Sequence, residues 1–389
     1  MSAAASPTNA APPASRTRRK RVSLGLGAFA LGVIALAWTP ASRHARAARL
    51  LTSLTAPPTD TSALRVEESS VTSSGVAVPV VRYEPRGVAD APGVVLVHGV
   101  HHLGMREPRL VAFARALAGA GLRVVTPDID ALRGFRIDAS GVPLVGDVAA
   151  AQAQYTGARR VAVIGISFGG GLSLLAASRA HDGRAIGAVA SIGGHADLAR
   201  VSRFLLSRGG DAGQAGGRLT PHPYGSRVIA LRYLDALVAP ADLAPARAAL
   251  LTWLSDDFTR AHELAERVSP ESRATLDALL AQGYPARVIA RLERALERDL
   301  PALHAASPVT HIQRVRVPVF LLHGADDPII PASETRALAE RTPARILAGA
   351  LVTPALRHAE LRSEPTLRDR VDIVRFVAAL LGATSEAAR

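Results

Sequence analysis

The run Val161-Ala162-Val163-Ile164-Gly165-Ile166-Ser167-Phe168-Gly169-Gly170-Gly171 decides the reading of this chain. Arg160 to Ile166 is apolar and rich in β-branched residues, the pattern of a strand buried on both faces. Leu172 to Arg179 then takes helical spacing, with Leu172, Leu174, Leu175 and Ala176 available for packing. Ser167 falls on the turn between them, and Gly165 and Gly169 are small enough to let strand and helix approach without a Cβ clash. A serine held this way stands exposed above a sheet edge, the setting of a nucleophile elbow.

Two further stretches supply what such a serine needs. Gly93-Val94-Val95-Leu96-Val97-His98-Gly99-Val100 is a second apolar strand running into a turn, where the backbone N–H of Val100 would pair with that of Phe168 to hold a developing oxyanion. Val317-Pro318-Val319-Phe320-Leu321-Leu322-His323-Gly324 is a third strand, and it delivers Asp326 and Asp327 onto a loop. His358 follows in Leu356-Arg357-His358-Ala359-Glu360, after a candidate strand from Ala344 to Val352 and before a helical pattern from Pro365 to Leu381. Serine, aspartate and histidine thus occur in the order used by one large class of hydrolytic folds.

On these residues the chain resembles the α/β-hydrolase fold family, from about Val76 to Leu381 with an internal gap. The resemblance implies a mainly parallel central sheet flanked by helices, with Ser167 as nucleophile, His358 as general base and then acid, and one aspartate orienting the imidazole. The family's loop commonly reads Asp-x-Ile/Val-x-Pro. Asp327 to Pro331 matches it, which favours Asp327 over Asp326. The expected activity is cleavage of a carboxylic ester, thioester or lipid-like ester through an acyl-enzyme, with no metal and no organic cofactor. Acyl transfer to an alcohol by the same triad, or a catalytically silent, membrane-tethered binding protein that keeps the fold, are the alternatives. Serine rather than aspartate at the elbow argues against dehalogenase and epoxide hydrolase chemistry.

The remaining histidines, among twelve in all, read differently. His101 and His102 follow the oxyanion turn and are candidates for the substrate pocket. His98 and His323, each just before a glycine at a strand end, read as turn-bonding structural residues, and His195 as a residue that would reach the pocket only from the mouth of the sheet. No histidine spacing suggests zinc, and the chain has no cysteine.

Before the nucleophile strand the pattern alternates strand and helix: Val76 to Tyr83, Pro108 to Ala120, Arg123 to Asp128 and Gly146 to Tyr155. Ala185 to Ile192 follows that strand. The interval from Gly194 to Val317 is too long for one crossover and is dominated by helical patterns, so residues 195–316 are expected to form a helical cap between core segments 64–194 and 317–389.

A formal charge of +13 comes from 46 basic against 33 acidic residues, yet Lys20 is the only lysine, and the later arginines interleave with acids as solvated helix faces do. With 4% aromatic residues and no recognisable module, nucleic acid is not the expected partner. Residues 1–21 are expected to be a disordered N-terminus, Ala/Ser/Pro-rich over 1–15 and ending in a basic cluster, Arg16 to Arg21. The apolar run Val22 to Thr39 that follows is near the roughly 17-residue minimum for a membrane span. The expectation is a signal-anchor helix over 22–39, or a cleaved signal peptide. A linker over 40–63 and an exported catalytic domain tethered to the membrane by that helix complete it.

Overall fold

The computed structural model describes residues 41–55, 62–179, 185–207, 211–212, 218–281, 283–358, 360–361 and 365–389. Strands β1 (Leu64–Ser73) and β2 (Val76–Pro85) form a hairpin across Ser74 and Gly75, both at positive φ, 49° and 81°. Two such residues in a two-residue loop match the right-handed twist of the flanking strands. After them come β3 (Gly93–Val97), β4 (Arg123–Pro127), β5 (Val161–Ile166), β6 (Ile186–Ile192), β7 (Val319–Gly324) and β8 (Leu347–Thr353). The sheet order is β1-β2-β4-β3-β5-β6-β7-β8. Only the β1–β2 and β2–β4 pairings are antiparallel, and the remaining neighbours run parallel.

Parallel strands need crossovers, which cover both faces and bury the strands between them. β5 shows this residue by residue: Val161 and Val163 join the core on one face, and Ala162 and Ile164 join the core on the other. The longer helices of this part of the chain are α1 (41–55), α2 (Pro108–Gly119), α3 (Val142–Thr156) and α4 (Phe168–Arg179). Leu172 and Leu175 of α4 pack with Val163, whereas Leu110 and Leu117 of α2 and Leu50 of α1 pack with Ile164. The chain leaves β3 for β4 on one side and returns to β5 on the other. This switch of direction opens a crevice at the carboxyl ends of β3 and β5, where α/β sheets bind ligands.

Between β6 and β7 the chain forms α5 (Leu198–Leu206), α6 (Pro223–Arg232), α7 (Leu243–Leu254), α8 (Phe258–Ala265), α9 (Pro270–Leu280), α10 (Ala286–Arg298) and α11 (Leu300–Ala305). Local chemistry sets several boundaries: the Asp197 and Asp257 side chains accept the N–H groups of Arg200 and Arg260 at the starts of α5 and α8, and proline occupies the first turn of α6 and α9. Buried Arg227 staples the insertion internally, donating to the carbonyls of Pro223 at 2.8 Å and Leu280 at 2.9 Å, with its guanidinium 3.7 Å from the centre of the Trp253 ring. Helices α12 (Ser333–Arg341) and α13 (Leu367–Ala387) complete the core, and α13 opens on a capping box of Thr366 and Asp369.

The N-terminal expectations need correction. The stretch read as a linker contains α1, whose Ala47 and Leu50 are buried against the domain and whose Arg46 donates to the Ala120 carbonyl at 2.8 Å. The membrane-anchored, exported placement does not hold: among the described residues no helix is long and apolar enough to cross a membrane. The run Val22 to Thr39, on which that placement rested, lies outside the described residues.

Candidate active site

Ser167 connects β5 to α4 with φ at 53°, a left-handed conformation that a residue with a side chain adopts only where its surroundings impose it. Two backbone bonds hold it there: the Ser167 N–H donates to Ile192 O at 2.8 Å, and the Ser167 carbonyl accepts from Gly170 N–H at 2.9 Å. Gly169 must lack a side chain, since a methyl there would collide with the His98 carbonyl. Gly99 is equally close to the elbow, with a Cβ at that position falling 3.1 Å from Ser167 Cβ. The turn after β3 and the turn after β5 are thus in contact, and Val100, Ser167 and Phe168 border the same cavity. The Phe168 N–H belongs to the first turn of α4, where amides have no intrahelical acceptor.

His98 fixes the first of these turns. Its Nε2 accepts from the Ile129 N–H at 3.0 Å, so the proton is on Nδ1, which donates to the Gly99 carbonyl at 2.7 Å. Burial holds its pKa below the ordinary histidine value, keeping the ring neutral.

The loop after β7 brings Asp327 to His358. His358 Nδ1 lies 2.7 Å from Asp327 Oδ2, and because a carboxylate only accepts, Nδ1 carries the proton and Nε2 is left with its lone pair. The other oxygen, Oδ1, accepts from the N–H groups of Ile329 at 2.8 Å and Ile330 at 3.0 Å. Burial by itself would raise the Asp327 carboxyl. The imidazoles of His358 and His323 beside it outweigh this and hold the group well below the usual carboxylate range. His358, like Ser167, has φ at 53°. Asp326 is half-buried, and it is Asp327 that bonds the imidazole.

The other histidines separate by position. His101 lines the cavity beside Ser167, and its ring stacks on that of His102 with centroids 4.5 Å apart; His102 is not among the lining residues. His195 is buried with its ring parallel to that of Phe168, centroids 4.7 Å apart, and its Nε2 is 2.9 Å from the Ala306 carbonyl.

Two residues gain a role that sequence reasoning did not give them. His323 Nε2 lies 2.8 Å from the Ile330 carbonyl and 3.3 Å from Asp327 Oδ2, so it ties down the turn and also touches the acid. Tyr224, in the first turn of α6, donates its hydroxyl to the Val100 carbonyl at 2.7 Å, joining the insertion to the turn after β3. The available signal was its setting, one of five tyrosines placed in His222-Pro223-Tyr224-Gly225 at a helix start.

Ser167 and His358 border one cavity of about 1160 Å³, whose walls include Leu205, Tyr224 and Val228 from the insertion. A family model for the alpha/beta hydrolase fold matches residues 92–349, which hold the β3 turn, Ser167 and Asp327. The chain belongs to this family. No curated protein matches the sequence. Among solved structures the α/β-hydrolase chain is similar to a puromycin hydrolase at 17% identity and a TM-score of 0.47, over 85% of this chain and 40% of that one. It is also similar to the 2,6-dihydroxy-pseudo-oxynicotine hydrolase at 16% identity and 0.44, over 81% and 68% of the two chains. A third likeness, to the esterase domain of a Rhodothermus marinus protein, is at 17% and 0.43, over 82% and 97%. The chain therefore spans about two fifths of the length of the puromycin hydrolase.

Proposed function

We propose that this α/β-hydrolase is a serine hydrolase that cleaves a carboxylic ester through an acyl-enzyme on Ser167. The observation that carries the reading is the 2.7 Å bond between His358 Nδ1 and Asp327, bordering the cavity onto which the strained Ser167 turn opens. The bond to Asp327 fixes the tautomer in which His358 Nε2 is a base. In the acylation step Nε2 takes the Ser167 Oγ proton as Oγ bonds to the substrate carbonyl carbon. The resulting oxyanion accepts from the amides of Val100 and Phe168, whose fixed dipoles need no rearrangement as charge develops. When the carbon–oxygen bond to the leaving alcohol breaks, the alkoxide takes the proton from His358. Water then repeats the sequence on the acyl-enzyme and releases the carboxylic acid. Asp327 remains ionised throughout and stabilises the imidazolium that forms twice per cycle.

Hydrolysis of p-nitrophenyl esters by the full chain, beside Ser167→Ala and His358→Ala, tests this. Each substitution is expected to lower turnover by about 10⁶. Turnover retained by folded Ser167→Ala would refute the assignment.

A further inference from the structure

The cavity at Ser167 does not end at the strand termini. On the side of the sheet that carries α1, α2 and α13 it continues over Ile164, Ile192 and Leu322 of β5, β6 and β7. Leu50 and Leu54 of α1 form its roof. α1 is anchored at its far end, where Arg46 bonds the Ala120 carbonyl after α2 and Arg43 lies 3.5 Å from Glu386 at the end of α13. The helix therefore runs back along α2 and α13 toward the active site, covering the space between them.

Protein interiors rarely leave voids much larger than a water molecule, and ligand pockets commonly enclose about 300–1,000 Å³. At about 1160 Å³ this cavity lies just above that range. Along α1 and α13 every lining side chain is apolar except Thr55 and Thr384. Both hydroxyls are satisfied by their own helices, Thr55 on the Thr52 carbonyl at 3.0 Å and Thr384 on the Leu380 carbonyl at 2.9 Å. Along these two helices nothing asks for a polar partner; the charged lining residues of this side, Glu107 and Arg109, sit at the start of α2. The α13 wall extends from Ile373 to Thr384, about 16 Å of helix axis at 1.5 Å per residue. An extended chain advances roughly 1.2 Å per bond, so that length matches about a dozen bonded carbons.

Resting on the serine hydrolase reading above, we infer that the substrate is an ester of a long unbranched acyl chain, and that the chain lies in this channel beneath α1. The acyl part is the one that stays bonded to Ser167 Oγ. The alcohol must take its proton from His358, the partly exposed member of the dyad, and leave toward solvent.

The test is kcat/KM of the full chain on p-nitrophenyl acetate, butyrate, octanoate and dodecanoate, with Leu50→Trp and Leu381→Trp as independent ways to fill the channel from α1 and from α13. Wild type is expected to gain about fourfold per added methylene until the channel is full. Either tryptophan is expected to lower dodecanoate hydrolysis by about 100-fold, equivalent to expelling several methylenes, while acetate stays within about threefold of wild type. Labelling of Ser167 by a fluorophosphonate at the wild-type rate shows that a variant is folded. Labelling with a flat chain-length profile, or with variants that keep the wild-type profile, overturns the channel and leaves the serine hydrolase reading intact. Failure of the wild type to label overturns both.

Discussion

On one face of the sheet α4 lies so close to the β3 and β5 turns that a methyl on Gly169 would meet the His98 carbonyl, whereas on the other α1 stands off behind Leu50 and Leu54 above one part of the cavity of about 1160 Å³. The first contact is backbone against backbone and leaves no freedom. The second is made by the tips of leucine side chains and leaves room. On the proposed function the difference has a reason: the elbow has to hold one strained φ at Ser167, and the opposite face would hold the acyl chain. Rigidity and capacity meet at the strand ends, because the same cavity reaches Ser167 and His358.

The largest effect expected from this contrast is at Gly169. Gly169→Ala presses a methyl into backbone that cannot give, and is expected to cost about 3 kcal/mol or more in a denaturant titration. Leu50→Ala on the loose face is expected to cost about 2 kcal/mol, at the lower end of the leucine-to-alanine range, because Leu50 already borders a void and has fewer contacts to lose. Equal costs at the two positions would break the comparison.

Acid should weaken the tight side in two steps. Burial lowers the pKa of His98 and of His195, so both refuse protons that the unfolded chain accepts. Their contribution is complete above the unfolded value of about 6.5 and is lost as pH falls below it. The depressed Asp327 carboxyl contributes above its unfolded value of about 4, and that part is lost on further acidification toward its lower folded value. The urea midpoint is therefore expected to be flat from pH 8 to 7, to fall by pH 5.5 and to fall again by pH 3. His98→Gln should flatten the first fall, and a midpoint that rises on acidification would contradict the assignment.

The smallest effect sharpens the link between the insertion and the turn after β3. Tyr224→Phe removes one neutral hydrogen bond to the Val100 carbonyl and is expected to lower kcat by about 2- to 10-fold with little change in stability. An unchanged kcat would mean that the tyrosine merely fills space.

Much of this architecture was legible in the sequence because it rests on local pattern. The β-branched run into Ser167, the glycines around it, and the order of strand-end turns all state their structure within a few residues. The choice between Asp326 and Asp327 came instead from the resemblance to the family's Asp-x-Ile/Val-x-Pro loop, which favoured Asp327, the residue that bonds His358. What was not legible depends on distant partners. Tyr224 and Val100 are 124 residues apart, and a side chain bonded to a backbone carbonyl leaves no trace in either segment. α1 did leave a trace: Ala47, Leu50, Leu51 and Leu54 recur at i, i+3, i+4 and i+7, one face of a helix. Its arginines and the apolar run before it drew the reading toward an anchor and a linker instead.

The central claim is that Ser167 is a nucleophile activated by His358, and intact-protein mass after incubation with a fluorophosphonate tests it most directly, using wild type, Ser167→Ala and His358→Ala. The account predicts one adduct on wild type, located at Ser167, none on Ser167→Ala, and labelling slowed by orders of magnitude on His358→Ala. A folded wild type that stays unmodified, or a Ser167→Ala variant that labels as fast as wild type, would contradict it.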